Sequence, residues 1–373
     1  VDQLAGMKGE VKTSKENLKK ALELRTEFSQ KLIKVFQYPH LMKSVESSNQ
    51  EVSSKFQKAN YLFAQTSQKL SWFTPELLSI PKETMMKWIE SDDELKSYRF
   101  PMEKMFHSQE HVLEEDKEQL LSYFSQISDA PSSIYDELST SDIEYPDVTL
   151  STGEKMQTSP GNVKKVLSYY KNQEDRRKVS EGLYQPYAEN KNTYAAIYNG
   201  VCQSDWASAQ ARKYESTLQA ALHGKNIPQE VYENLIHTVK ENTAPLQKYF
   251  SLRAKALGLE GKYHRYDGSV SLTDFDKEYP YEEAQKQVLA SVLPLGEDYH
   301  NKMKTAMSEG WLDVKEHEDK RPGAFSVGIY GVHPYMLLNY SNTMDDMFTL
   351  GHELGHTLHT LYSDENQPYP THN

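Results

Sequence analysis

Apolar side chains recur at helical spacing from Thr13 onward, and this periodicity restricts the chain to a mainly α architecture. Leu18, Leu22, Phe28, Leu32 and Val35 form one stripe, preceded by Thr13-Ser-Lys-Glu16, a capping-box pattern. Val52, Phe56, Ala59 and Phe63 form a second, before Thr74-Pro75 and Ile80-Pro81 break the chain into shorter helices. Acidic runs such as Glu114-Glu-Asp-Lys-Glu118 read as solvated helix starts. The absence of a repeat of roughly 20–50 residues argues against a solenoid.

The pattern changes at Tyr145-Pro-Asp-Val-Thr-Leu150, a short β-prone run followed by turn-forming Ser151-Thr-Gly-Glu154 and Ser159-Pro-Gly161. A domain boundary is expected here, giving a helical domain over 1–150 and a second domain over 151–373. Helices are expected to resume at Val163–Tyr170, then in a long one from about Glu174 past Trp206 toward Ala221, with Pro228 opening the next. Near the end, Gly323-Ala-Phe-Ser-Val-Gly-Ile-Tyr-Gly331 and Tyr335-Met-Leu-Leu-Asn-Tyr340 read as strands of a small sheet. Thr343-x-x-Asp346 then supplies a capping-box start for a last helix, predicted from Met344 to Leu361.

Several function classes fall away on composition. The 54 acidic and 42 basic residues leave a formal charge of −12, which repels a phosphate backbone, so nucleic acid is not an expected partner. No apolar run approaches the roughly 20 residues of a membrane helix, and no signal-peptide core is visible in the first residues. The single cysteine, Cys202, cannot form an internal disulfide and suits a reducing, cytoplasmic setting; a buried structural thiol is expected. The chain starts at Val1 without methionine, and its true beginning is expected to lie upstream.

One motif carries chemistry. In His352-Glu353-Leu354-Gly355-His356 the histidines stand four residues apart on a predicted helix, about one turn and ~6 Å of rise, so both imidazoles project from one face. Two neutral imidazole nitrogens can then bind one tetrahedral zinc, with Glu353 beside the water as general base. A metzincin is excluded, because His359 and Tyr362 stand where that class needs Gly and His. His359 lies about 10.5 Å along the axis from His352, too far to share one ion, and reads as a partly buried supporting histidine. Catalytic zinc takes three protein ligands; Asp364 and Glu365 read as loop residues, so either more protein follows Asn373 or this is not a complete enzyme. His333 before Pro334 reads as a turn residue, and Asp345 and Asp346 as helix caps.

The run from Arg321 to Tyr340, followed by Asp345-Asp-Met-Phe-Thr-Leu-Gly-His-Glu-Leu-Gly-His356, resembles oligoendopeptidase F of the thimet-oligopeptidase-like zinc metallopeptidases. Gly182-Leu-Tyr-Gln-Pro-Tyr187, Tyr214-Glu-Ser-Thr-Leu-Gln-Ala-Ala-Leu222 and Asn226-Ile-Pro-Gln-Glu-Val-Tyr-Glu-Asn-Leu235 extend the similarity upstream. The resemblance implies a mainly α protein with a small β-sheet, a two-lobed, gluzincin-like zincin around a deep channel. It also implies one zinc ion per chain and cleavage of short unstructured peptides. Carried over by residue, the resemblance implies that His352 and His356 are ligands and Glu353 is the base, with the third ligand a glutamate on a later helix beyond Asn373. The 323–331 strand is expected to receive substrate backbone by strand addition, through Phe325, Ser326, Val327, Gly328 and Tyr330. The alternative from another class is a catalytically incomplete helical binding protein that keeps a zincin-like helix.

Overall fold

The computed structural model describes residues 1–273, 277–308 and 310–372. The first helical stripe becomes α1 (Lys15–Val45), capped by Ser14, whose side chain accepts from the Asn17 backbone. The cap is therefore one residue later than the Thr13 box. The second stripe becomes α2 (Gln50–Lys69), packed antiparallel to the end of α1 through Phe36, His40, Phe56 and Phe63. The N-terminal half of α1 buries Leu18, Ala21 and Leu22 in a core completed by Trp72, Phe73, Leu77, Met85, Ile89 and Leu95. Phe73, Leu77, Met85 and Ile89 come from two short helices, Phe73–Leu78 with Pro75 in its first turn and Lys82–Glu90 with Pro81 just before it, positions where proline is tolerated.

The β-prone run at 145–150 forms a hairpin, β1 (Asp147–Thr149) with β2 (Lys155–Gln157). Helices α3 (Pro160–Tyr169) and α4 (Gln173–Glu189) follow. The long helix expected from Glu174 to Ala221 is instead three pieces, Gln173–Glu189, Lys191–Ala211 and Thr217–His223. Pro186 removes a helical donor just before the first break, and Lys213 at φ 62° cannot continue the second. Cys202 is exposed rather than buried, because the helix that carries it buries only Ala209.

A fully buried ion pair ties this region together. Asp267 accepts from Arg176 Nη2 at 2.7 Å, from Gln173 Nε2 at 2.9 Å and from the His264 backbone at 2.8 Å. Both charged side chains are 0% exposed. Removing one partner leaves an uncompensated buried charge, so Asp267→Ala is expected to lower stability by about 3–5 kcal/mol. A urea denaturation midpoint equal to wild type would contradict that role.

The last part of the chain builds the scaffold of the site. Helices α5 (Tyr281–Ser291) and α6 (Glu297–Ser308) pack beside a three-stranded sheet ordered β3 (Leu312–Lys315), β5 (Val332–Tyr340), β4 (Phe325–Ile329). β5 pairs parallel with β3 and antiparallel with β4, so β4 is an edge with no strand beyond it among the described residues. β3 has no counterpart in the sequence reading, because four residues carry too little periodicity and its partner lies beyond a long connection. The final helix, α7, spans Met344–Asn366. Met336, Leu338 and Tyr340 of β5 pack on Leu350, Leu354 and Leu358 of α7, with Val288 of α5 and Met303 of α6. The opposite face of the sheet, including Phe325, Ile329 and Leu337, meets the C-terminal half of α1 across an apolar groove of about 440 Å³.

Candidate metal centre

The helix start is set by a reciprocal capping box: Thr343 accepts from the Asp346 backbone at 3.1 Å, and Asp346 accepts from the Thr343 backbone at 2.9 Å. Asp346 is 3% exposed and also accepts from the Ser341 backbone and hydroxyl and from Lys164 Nζ of α3. Burial by itself raises its pKa, but the bonds from Lys164 and Thr343 outweigh that and hold it below the usual carboxylate range. Asp345 pairs with the same lysine at 2.7 Å. Asp346 thus caps the helix, and both acids anchor it to α3.

Rotation of about 100° per residue decides what each side chain of α7 can reach. Leu350, Leu354 and Leu358 define the face turned to the core. His352 and His356 fall on the far flank and are exposed, while Glu353 lies between the two faces and is 8% exposed. The His352 and His356 Nε2 atoms stand 3.1 Å apart, with ring centroids 4.8 Å apart and planes at 82°. Two nitrogens bound at about 2.0–2.1 Å to one tetrahedral zinc would stand roughly 3.3 Å apart, so the pair fits that ion with little movement. Glu353 has no hydrogen-bond or ion-pair partner among the described residues. With His352 it lines an open groove of about 900 Å³ whose walls include Val288, Tyr299, Met303, Met347 and Phe348. Among the described residues, no group of three or more His, Cys, Asp or Glu side chains is placed to hold a metal.

Other residues considered from the sequence fall elsewhere. His359 is exposed rather than partly buried. Asp364 and Glu365 belong to the last turn of α7, which runs past Leu361 because both acids gain tertiary partners. Asp364 accepts from the Gly331 backbone and lies 2.6 Å from His372 Nε2, and Glu365 pairs with Lys302 at 3.0 Å. His333 lies within β5 instead of a turn, stacked on Trp311 at 4.5 Å.

The residues expected to contact substrate divide between the two faces of β4. Ser326 turns to α7, where its hydroxyl lies 2.9 Å from that of the fully buried Thr357, and Gly328 lies against Thr360. Phe325 lines the groove toward α1 on the other face, and pleating sends Val327 the same way. Tyr330 follows the strand; its hydroxyl donates to the Gln367 carbonyl and its ring meets Tyr369 and His372. Thr357 and Thr360 were missed, although their positions four and seven residues after Glu353 put them on its side of the helix.

His352, Glu353 and His356 thus share one helix packed against an edge strand, and sequence comparison supplies the family. The chain matches Peptidase family M3 over residues 166–373 and Oligopeptidase F over residues 76–145. It belongs to the M3 peptidase family. It is 33% identical over 371 residues to oligopeptidase PepF of Bacillus subtilis, covering 99% of this chain and 55% of that protein. It is 32% identical over 370 residues to group B oligopeptidase PepB of Streptococcus agalactiae, covering 99% and 61%. The crystal structure of oligoendopeptidase-F from Enterococcus faecium matches with a TM-score of 0.70 at 26% identity, covering 83% of this chain and 59% of that one. The chain thus spans about 55–61% of the length of these relatives.

Proposed function

We propose that the full-length protein is a zinc-dependent endopeptidase of short, unstructured peptides. The observation that carries this reading is the pair of Nε2 atoms 3.1 Å apart beside Glu353, whose carboxylate has no protein partner among the described residues and lines an open groove. His352 and His356 hold one zinc per chain, and the third ligand is a glutamate outside the given residues, as the family resemblance implies. When bound, zinc supplies a Lewis acid that polarises a peptide carbonyl and acidifies a water. Glu353 accepts the proton of the attacking water at a carboxylate oxygen and returns it to the leaving amine nitrogen. Glu353 lines the open groove beside His352, so an attacking water can reach its carboxylate.

The free edge of β4 offers unpaired backbone groups for an extended peptide, with Phe325, Ser326, Val327 and Gly328 on that edge and Tyr330 just beyond it. In this reading residues 1–150 form a helical unit and 151–373 begin the catalytic unit of a two-lobed, gluzincin-like zincin. The hairpin β1–β2 lies between the segments matched by the two family models, which supports that division. Charge argues against nucleic acid as a partner. No helix among the described residues is long and apolar enough to cross a membrane. A cytoplasmic setting is part of the proposal, in keeping with a single unpaired thiol.

The large helical mass before the motif is assigned to the walls of a deep channel. Such walls admit an extended peptide and exclude a folded domain. The full-length protein is therefore expected to cleave a quenched oligopeptide at least about 100-fold faster than a surface loop of a rigid native protein, a loss of near-attack geometry. Comparable rates in a competition assay would rule out the channel.

A further inference from the structure

Gly328 is a glycine without a backbone reason to be one. Its φ is not positive, so no left-handed turn requires it. What requires it is proximity: a Cβ at this position would lie 2.5 Å from Thr360 Cγ2, 3.0 Å from Oγ1 and 3.3 Å from Cβ. Carbon atoms in contact sit about 3.5–4.0 Å apart, so a methyl group would push β4 away from α7 by about 1 Å. Thr360 can yield only by changing χ1, for which a threonine on a helix has two favoured rotamers. The ladder between β4 and β5 also shifts register at this point, between Val327 and Ile329 and opposite His333 and Pro334. Such irregularities re-aim a strand, and they gather beside active sites.

One turn earlier on α7, the Ser326 and Thr357 hydroxyls meet at 2.9 Å with Thr357 fully buried, a second fixed point between the same two elements. Thr357 and Thr360 lie about 40° and 20° to either side of Glu353 around the helix axis, so both fixed points lie on the helix face that carries the proposed base. We infer that Gly328 against Thr360, together with the Ser326–Thr357 pair, sets the distance between the edge strand and the metal helix and so positions a bound peptide relative to Glu353. This rests on the proposed peptidase function with substrate paired on β4. All four are positioning residues. A peptide paired on β4 moves with the strand, so displacing β4 keeps the backbone pairing but carries the scissile carbonyl away from Glu353.

The test uses the full-length protein with a quenched peptide. Gly328→Ala is expected to lower kcat by about 10–100-fold, the effect of misplacement on the order of 1 Å. KM and zinc content should stay within about threefold of wild type. Thr360→Ala removes Cγ2 and Oγ1, the two nearest atoms that the new methyl group meets, and leaves only Cβ at 3.3 Å, so Gly328→Ala with Thr360→Ala is expected to recover kcat to within about threefold of wild type. Peptide affinity of the inactive Glu353→Gln protein, read by fluorescence anisotropy, should be the same with and without Gly328→Ala. Wild-type kcat in Gly328→Ala, a loss the second substitution does not recover, or a matching loss of peptide affinity would overturn the inference while leaving the peptidase function standing. A wild-type protein that cleaves no peptide would overturn both.

Discussion

Replacing Glu353 by glutamine is expected to lower kcat/KM for an unstructured peptide by about 10²–10⁴-fold, the usual contribution of a positioned general base. The amide has nearly the same shape as the carboxylate and leaves both imidazoles in place, so zinc content is expected to be unchanged. Glutamine cannot take a proton from water at neutral pH, and this is the one property the substitution removes. The position favours a clean outcome: Glu353 has no hydrogen-bond or ion-pair partner among the described residues, so no packed polar network is broken. Steady-state kinetics with metal analysis on the same preparation checks it. A glutamine variant that turns over peptide at the wild-type rate would remove Glu353 from the reaction.

His356→Ala is expected to act on the other half of the site. It deletes one of two facing nitrogens and leaves His352, which is exposed and gains nothing from its neighbours in return. Loss of an outer partner already weakens metal sites by about 10–100-fold, and loss of a direct ligand is expected to exceed that. Because His356 is exposed, thermal stability of the metal-free protein should shift by less than about 0.5 kcal/mol. Zinc titration and denaturation of the stripped protein separate the two effects. Equal zinc affinity in variant and wild type would show that the imidazole pair is not the metal site.

The parts of the site legible in sequence are those whose cause is local. His352 and His356 share a face because four residues make about one helical turn, and Thr343 and Asp346 cap each other because they stand three apart. Both arrangements follow from spacing alone. Lys164, 182 residues before the Asp346 it contacts, gives no such signal. Neither does the partnership of Gly328 with Thr360, which exists only once strand and helix are packed. Helix ends moved for the same reason: α7 outlasts Leu361 because Asp364 and Glu365 find partners in the β4–β5 turn and on α6, contacts that outweigh their turn preference. Pro186 was visible in the sequence as a missing donor, and its effect on the helix after Glu174 was underestimated.

Peptidase and binding-protein readings of the same helix differ most directly in the metal. The helical binding protein needs no ion at His352 and His356, whereas hydrolysis by Glu353 does. Elemental analysis of full-length protein after exhaustive dialysis at neutral pH is therefore the decisive measurement. The expected result is about one zinc per chain, held by a site of three protein ligands and lost on His356→Ala. A folded protein that retains no zinc would contradict the metallopeptidase assignment of this site.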